Sequence, residues 1–161
     1  MSAVLDSPSV ARVRAALAQA GVAADIVELP GAARTAKQAA DFLGCSVAEI
    51  ANSLVFRGAT SGEPILVMSS GAKRVSLERL ASAVGEPVEK ADADFVRERT
   101  GFAIGGVAPV GHATTLRKYV EASLSAYEHV WAAAGHPHTV FRLSYAQLVA
   151  ITHGPVIQAA E

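Results

Sequence analysis

Asn52–Ser70, NSLVFRGATSGEPILVMSS, is the stretch around which the rest of the chain arranges itself. Its two runs, NSLVFRG and PILVMSS, are rich in the β-branched and aromatic side chains that fit a pleated surface. The intervening GATSGE has the glycine and serine content of a turn. The pattern predicts two strands joined by a turn at the centre of a sheet. Small polar groups mark their ends: Asn52 opens the first run, and Ser69 and Ser70, followed by Gly71, close the second.

Upstream, Ser7 and Pro8 have the residue types of a helix cap and first helical position, and SVARVRAALAQA then runs to Gly21 with Val10, Val13 and Leu17 as its buried stripe. DIVEL predicts a short strand ended by Pro30 and Gly31. RTAKQAADFLG predicts a helix capped by Thr35 and stopped by Gly44, and SVAEIA a further helical turn. Downstream, SLERLASAVG and ADFVRERTG each begin with a capping side chain, Ser76 or Asp92, and end in glycine, with the short strand EPVEKA between them. LRKYVEASL, EHVWAAAG and HTVFRLS predict strands, and SYAQLVAITHG a last helix. Strands and helices do not alternate regularly, which points to a mixed α/β (α+β) fold and away from a doubly wound nucleotide-binding fold.

The chain's 161 residues are enough for one domain with a real core, so a single domain over 1–161 is expected. Hydrophobic residues make up 51%, yet no apolar run approaches the roughly 20 residues needed to cross a bilayer. The N-terminal MSAVLDSPSVARVR has no basic segment followed by an apolar stretch, so a cytoplasmic protein with no membrane attachment is expected. A net charge of −1 gives no broad basic field for DNA or any long nucleic acid and leaves room only for local contacts. Lys73, Arg74 and Arg79 in AKRVSLER, and Arg117 and Lys118 in LRKY, are the candidate phosphate contacts. The lone Cys45 cannot form an internal disulfide and reads as a packing or helix-start residue.

Common catalytic signatures are missing: there is no P-loop, no GxSxG, no HExxH and no paired cysteines. His136 and His138 in GHPHTVF would share a face if extended, which makes them a possible metal pair, but no nearby acid or cysteine completes a site. Gly101–His112, GFAIGGVAPVGH, combines glycines with a proline and so holds an unusual backbone shape that can present N–H groups. Free N–H groups opposite the polar ends of an apolar sheet suit a carbonyl compound whose oxygen gains negative charge on attack by water.

At these residues the chain resembles the YbaK/ProX family of aminoacyl-tRNA deacylases, freestanding relatives of the editing domain of bacterial prolyl-tRNA synthetases. The likeness runs from VELPGAARTAKQAADFLGCSVAEI through NSLVFRG, PILVMSSGAKRV, TGFAIGGVAPVGH and VWAAAGHPHTVF to the final helix. It implies a single mixed α/β domain around a strongly curved sheet, with no metal and no organic cofactor. The implied reaction is hydrolysis of the ester between a wrong amino acid and the 3′ adenosine of tRNA, with mischarged aminoacyl-tRNA as partner.

The resemblance also implies a site. The family carries a lysine immediately before the SLVF strand, where this chain has Asn52, whose amide offers neutral donors instead of a charge. GGVAP matches the family's glycine and proline loop, so Gly105, Gly106 and Val107 are expected to hold the aminoacyl carbonyl, with Asn52 and Gly106 as the catalytic positions. Thr35, Ser69, Ser70, Gly71, His112 and His136 are the further candidate pocket residues, and Lys73 and Arg74 the candidate tRNA contacts. Three readings stand at this point: a trans-editing deacylase, a binding module of the same fold that lost catalysis with the lysine, and a metal hydrolase using His136 and His138.

Overall fold

A computed structural model describes residues 3–161. The two central runs form β2 (Ala51–Gly58) and β3 (Pro64–Ser70), an antiparallel pair in which Asn52 lies opposite Ser69 and Phe56 opposite Ile65. On the far side of β3 runs β5 (Arg117–Glu121), parallel to it, followed by β8 (Val156–Ile157), while β4 (Val88–Lys90) flanks β2. The order of this five-stranded mixed sheet is therefore β4-β2-β3-β5-β8. A second, antiparallel sheet has the order β1-β7-β6, from β1 (Ile26–Glu28), β6 (His129–Ala133) and β7 (Thr139–Ser144). The expected curved sheet thus takes the form of two sheets, linked by an isolated parallel bridge between Ile50 and Trp131.

Every residue of β3 is buried, because both neighbours are strands and both faces are covered. Side chains alternate: Leu66 and Met68 enter the main core with Val13, Phe102, Phe141 and Leu148, whereas Ile65 and Val67 enter a second cluster with Phe56 and Leu80. A third cluster, including Leu29, Ala39, Ile50 and Val140, lies where the small sheet meets a helix.

The helices begin and end where their capping chemistry dictates. Helix α1 (Pro8–Gln19) is capped by Ser7, and α2 (Ala36–Leu43) by Thr35, whose hydroxyl accepts from the Gln38 N–H. Helices α3 (Leu77–Val84) and α4 (Ala93–Thr100) start at Ser76 and Asp92 and stop at left-handed Gly85 and Gly101. Ser144 and Gln147 form a reciprocal capping box at α5 (Tyr145–Thr152), as Ser46 and Glu49 do at the 3-10 turn Val47–Glu49.

One expected strand is shorter than LRKYVEASL suggested. At Glu121 the carboxylate accepts from the Ser123 N–H and hydroxyl, which starts a 3-10 turn over Ala122–Ala126. Its other oxygen accepts from the Ala159 and Ala160 N–H groups, tying the C-terminal segment to the sheet. Burial pushes this carboxyl's pKa up, but the hydrogen bonds from Ser123, Ala159 and Ala160 outweigh burial and hold it below its ordinary value.

Candidate functional site

Strand β2 is less covered than β3 along its first half, and two cavities open against it. The first, about 470 Å³, is walled by both sheets and α2, with Ala33, Thr35, Ile50, Ala51, Gly71, Trp131 and Val140 among its lining. The second, about 860 Å³, lies toward α3 and is lined by Phe56, Lys73, Arg74, Leu77 and Lys90 among others. Asn52, Ser53, Leu54, Ile104, Gly105 and Val107 line both, so the cavities meet where the start of β2 faces the glycine loop.

Three residues at that junction carry donors without partners among the described residues, whereas the Ser53 hydroxyl donates to Met68 Sδ at 3.3 Å. Asn52 is half-buried, and its carboxamide forms no hydrogen bond within the described residues. Gly105 adopts φ +90°, which a side chain rarely tolerates, and this turns the loop back across the cleft. Among the described residues neither the Gly105 N–H nor the Val107 N–H donates to a backbone carbonyl. Opposite Asn52, Ser69 is fully buried, and its hydroxyl has no partner among the described residues. No acid, histidine or thiol belongs to the shared set at the junction.

The expected site is therefore assembled in part and corrected in part. Gly106 does not present its N–H to the cleft, because that N–H donates to the Ala103 carbonyl at 2.9 Å. Its missing side chain serves packing: a Cβ there would lie 2.8–2.9 Å from the His136 backbone. Ser70 is occupied structurally, its hydroxyl donating to the Ala48 carbonyl at 2.8 Å. Gly71 does line the first cavity, where a Cβ would meet Ala36 and the Val47 carbonyl at 2.6 Å. Thr35 lines the same cavity while capping α2.

Neither expected pocket histidine lines these cavities. His112 lies with Lys118 and Thr152 beside a separate depression; its Nε2 bonds the Ala108 carbonyl at 2.7 Å, and its Nδ1 is buried without a partner among the described residues. Burial, aided by the charges of Lys118 and Arg12, lowers its pKa to about 4. His136 sits under the glycine loop with its ring beside His138, at 5.1 Å between centroids and 77° between planes. Among the described residues no group of three His, Cys, Asp or Glu gathers to hold a metal, so this pair has no third ligand.

The basic candidates also separate. Lys73 and Arg74 line the second cavity. Arg117 is instead engaged internally, with Glu86 at 2.8 Å, the Val84 carbonyl and the Tyr119 hydroxyl. Arg79 donates to the Ala160 carbonyl. Cys45 packs half-buried against the third core cluster, and burial followed by the Glu49 charge raises its thiol pKa, disfavouring a thiolate.

Sequence reasoning missed Ile104, Leu54 and Trp131, which line the first cavity. Trp131 stood in an unremarkable strand, and only the pairing of Ile50 with Trp131 brings it there. Ile104 carried a signal, being a large aliphatic side chain beside the glycine pair, and it is 55% exposed on the loop. No helix among the described residues is long and apolar enough to cross a membrane.

Comparison with known proteins agrees with this architecture. The chain is 31% identical over 124 residues to YwhH of Bacillus subtilis, covering 77% of this chain and 78% of that protein. A solved structure of a candidate trans-editing enzyme for prolyl-tRNA synthetase superposes with a TM-score of 0.89 at 44% identity, covering 96% of this chain and 98% of that one. Proline–tRNA ligase of Thermosipho africanus is 32% identical over 79 residues, which are 48% of this chain and 14% of the ligase. The model of the aminoacyl-tRNA editing domain matches residues 31–151, and the chain belongs to that family.

Proposed function

We propose that this protein is a freestanding trans-editing hydrolase that cleaves the ester of mischarged aminoacyl-tRNA. The aminoacyl side chain occupies the first cavity, whose mostly aliphatic lining favours an apolar amino acid. The terminal nucleotide lies toward the second, with Lys73 and Arg74 beside the RNA backbone. The observation that carries this reading is that the Asn52 carboxamide and the Gly105 and Val107 backbone N–H groups belong to residues lining both cavities and have no acceptor among the described residues.

Water adds to the ester carbonyl carbon, the carbonyl oxygen becomes an oxyanion, and the bond to the ribose oxygen then breaks to release amino acid and tRNA. The N–H groups of Gly105, Val107 and Asn52 donate to that oxyanion as charge develops. Because the junction holds no titratable side chain, the neighbouring ribose hydroxyl of the substrate relays the proton from water to the leaving oxygen. Such a reaction belongs in the cytoplasm, where aminoacyl-tRNA is made, beside prolyl-tRNA synthetase if the similar structure's partner is shared.

A second reading is favoured by one observation. Asn52 stands where the resemblance implies a lysine, and the lysines that line the two cavities, Lys37, Lys73 and Lys90, are on other segments, with Lys37 paired to Asp41 at 3.2 Å. On that reading the cleft binds an aminoacyl group without hydrolysing it. Deacylation measured across a panel of mischarged tRNAs decides: turnover by the wild type supports the hydrolase, while an inert wild type that gains turnover as Asn52→Lys is the binding module.

A further inference from the structure

A third cavity of about 470 Å³ lies behind the glycine loop, and nothing in the editing chemistry uses it. Four basic residues line it, exposed Arg34 and Arg97 and half-buried His136 and His138, with Ser9 from the first turn of α1. No acidic residue belongs to its lining. Neither guanidinium forms an ion pair or hydrogen bond within the described residues, in contrast to Arg12, Arg57, Arg79 and Arg117. Two unpaired guanidiniums and two imidazoles converging on one concavity make a site for a group with several acceptor oxygens and negative charge.

The cavity shares no lining residue with the second cavity, toward which the terminal nucleotide lies, so an upstream nucleotide of the same strand is the part that could reach it. Arg34 and Pro137 line this cavity and also the aminoacyl cavity, so the two share a wall. We propose that this cavity binds a backbone phosphate of the RNA strand whose aminoacylated end occupies the neighbouring cleft. The proposal rests on the editing reading for the identity of the strand, but phosphate recognition itself does not.

The two rings are set up to report occupancy. The His138 backbone N–H donates to His136 Nδ1 at 3.0 Å, so a neutral His136 carries its proton on Nε2 and has that N–H to give. Burial and then the neighbouring His138 lower the His136 pKa, against a smaller upward pull from Glu28 on β1. A bound phosphate beside Arg34, Arg97 and both rings opposes that lowering, so binding strengthens as pH falls and the His136 titration moves up.

The test follows the ring C–H resonances of His136 and His138 in the full chain while inorganic phosphate, and separately a non-acylated acceptor-stem minihelix, is titrated in. The expected result is a saturable shift with both, displacement of phosphate by the minihelix, and about tenfold weaker phosphate binding in Arg97→Ala. The same variant lowers the minihelix salt slope by about one. Absence of any saturable phosphate shift in the wild type overturns the site. Phosphate binding that the minihelix does not displace overturns the RNA assignment. Deacylation assayed in parallel keeps the readings apart, since an inert wild type that still shows the competition removes the hydrolase and leaves this site standing.

Discussion

Strands β2 and β3 lie side by side with similar composition, yet one is sealed and the other is worked. All seven residues of β3 are buried, whereas Asn52 through Val55 of β2 are only half-covered and border the two cavities. The difference comes from the neighbours: β3 has β2 along its length and β5 along Ile65–Met68, while β4 pairs only with the far end of β2, at Phe56–Gly58. A strand left half-paired next to a fully buried one gains a rigid support and an open edge, which is what a binding group needs. The adjacent glycines divide in the same way, Gly105 shaping the cleft and Gly106 admitting the His136 backbone.

The comparison is tested most severely by truncation. Leu66→Ala in β3 removes a fully buried side chain from the main core and should cost about 2–5 kcal/mol, while Leu54→Ala in β2 should cost about 1 kcal/mol. Chemical denaturation midpoints of the two variants should separate; equal losses would erase the contrast between the strands.

Next in size is a buried group away from the cleft. His112 has a folded pKa of about 4 against an ordinary 6.5, so between these values the unfolded chain binds a proton that the folded chain refuses. Its contribution to stability is complete above about pH 6.5 and is lost as pH falls toward 4, a change on the order of 3 kcal/mol. Thermal midpoints measured across that window should lose part of their slope in His112→Gln, the remainder including His136, whose pKa is lowered from the same ordinary value. The depressed carboxyls Glu86 and Glu121 act lower, in the window below their ordinary 4.5, so they do not mask the effect.

Gly106→Val should destabilise by about 1–3 kcal/mol, because the new side chain meets backbone that cannot swing aside. Melting curves check this, and an unchanged midpoint would return Gly106 to the cleft. At the open strand, Asn52→Ala should lower kcat/KM for a mischarged tRNA by about 10- to 200-fold, equivalent to about 1.5–3 kcal/mol for a lost donor, with stability unchanged within about 0.5 kcal/mol. Full activity would make Asn52 structural. The smallest effect belongs to its partner across the ladder: Ser69→Ala should be neutral or stabilise by up to about 1 kcal/mol, since the hydroxyl it removes is buried and unpaired. A marked loss in calorimetry would mean that the hydroxyl has a partner in solution.

How far the sequence could be read follows from how local each signal is. Caps and stops such as Thr35 with Gly44, or Ser144 with Gln147, are satisfied within one turn, so they were legible from neighbouring residues alone. The pairing of NSLVFRG with PILVMSS was equally local. The division into two sheets was not, because it depends on Ile50 meeting Trp131 across half of the chain. Strand β8 is two residues paired with Val120 and Glu121, too short to leave a periodic trace. Asn52 and the glycine loop could be chosen as site elements by chemistry and resemblance, but which amide in the loop is free depends on the Ala103 carbonyl and the placement of His136. The same holds for Arg117, a basic residue whose charge is spent on Glu86.

The bridge between Ile50 and Trp131 gives the molecule a seam. The first cavity, which the proposed function gives to the aminoacyl side chain, straddles it, with Ala51 and Asn52 contributed by one sheet and Trp131, Ala132 and Val140 by the other. A cavity walled by two separately hydrogen-bonded bodies has a width that depends on how far those bodies breathe apart, and the seam is a place where local opening needs little disruption of either ladder. Discrimination between amino acids that differ by one methylene then becomes a question of stiffness as well as shape. Loosening the contact at Trp131 would broaden the range of side chains admitted before it altered the chemistry at the carbonyl.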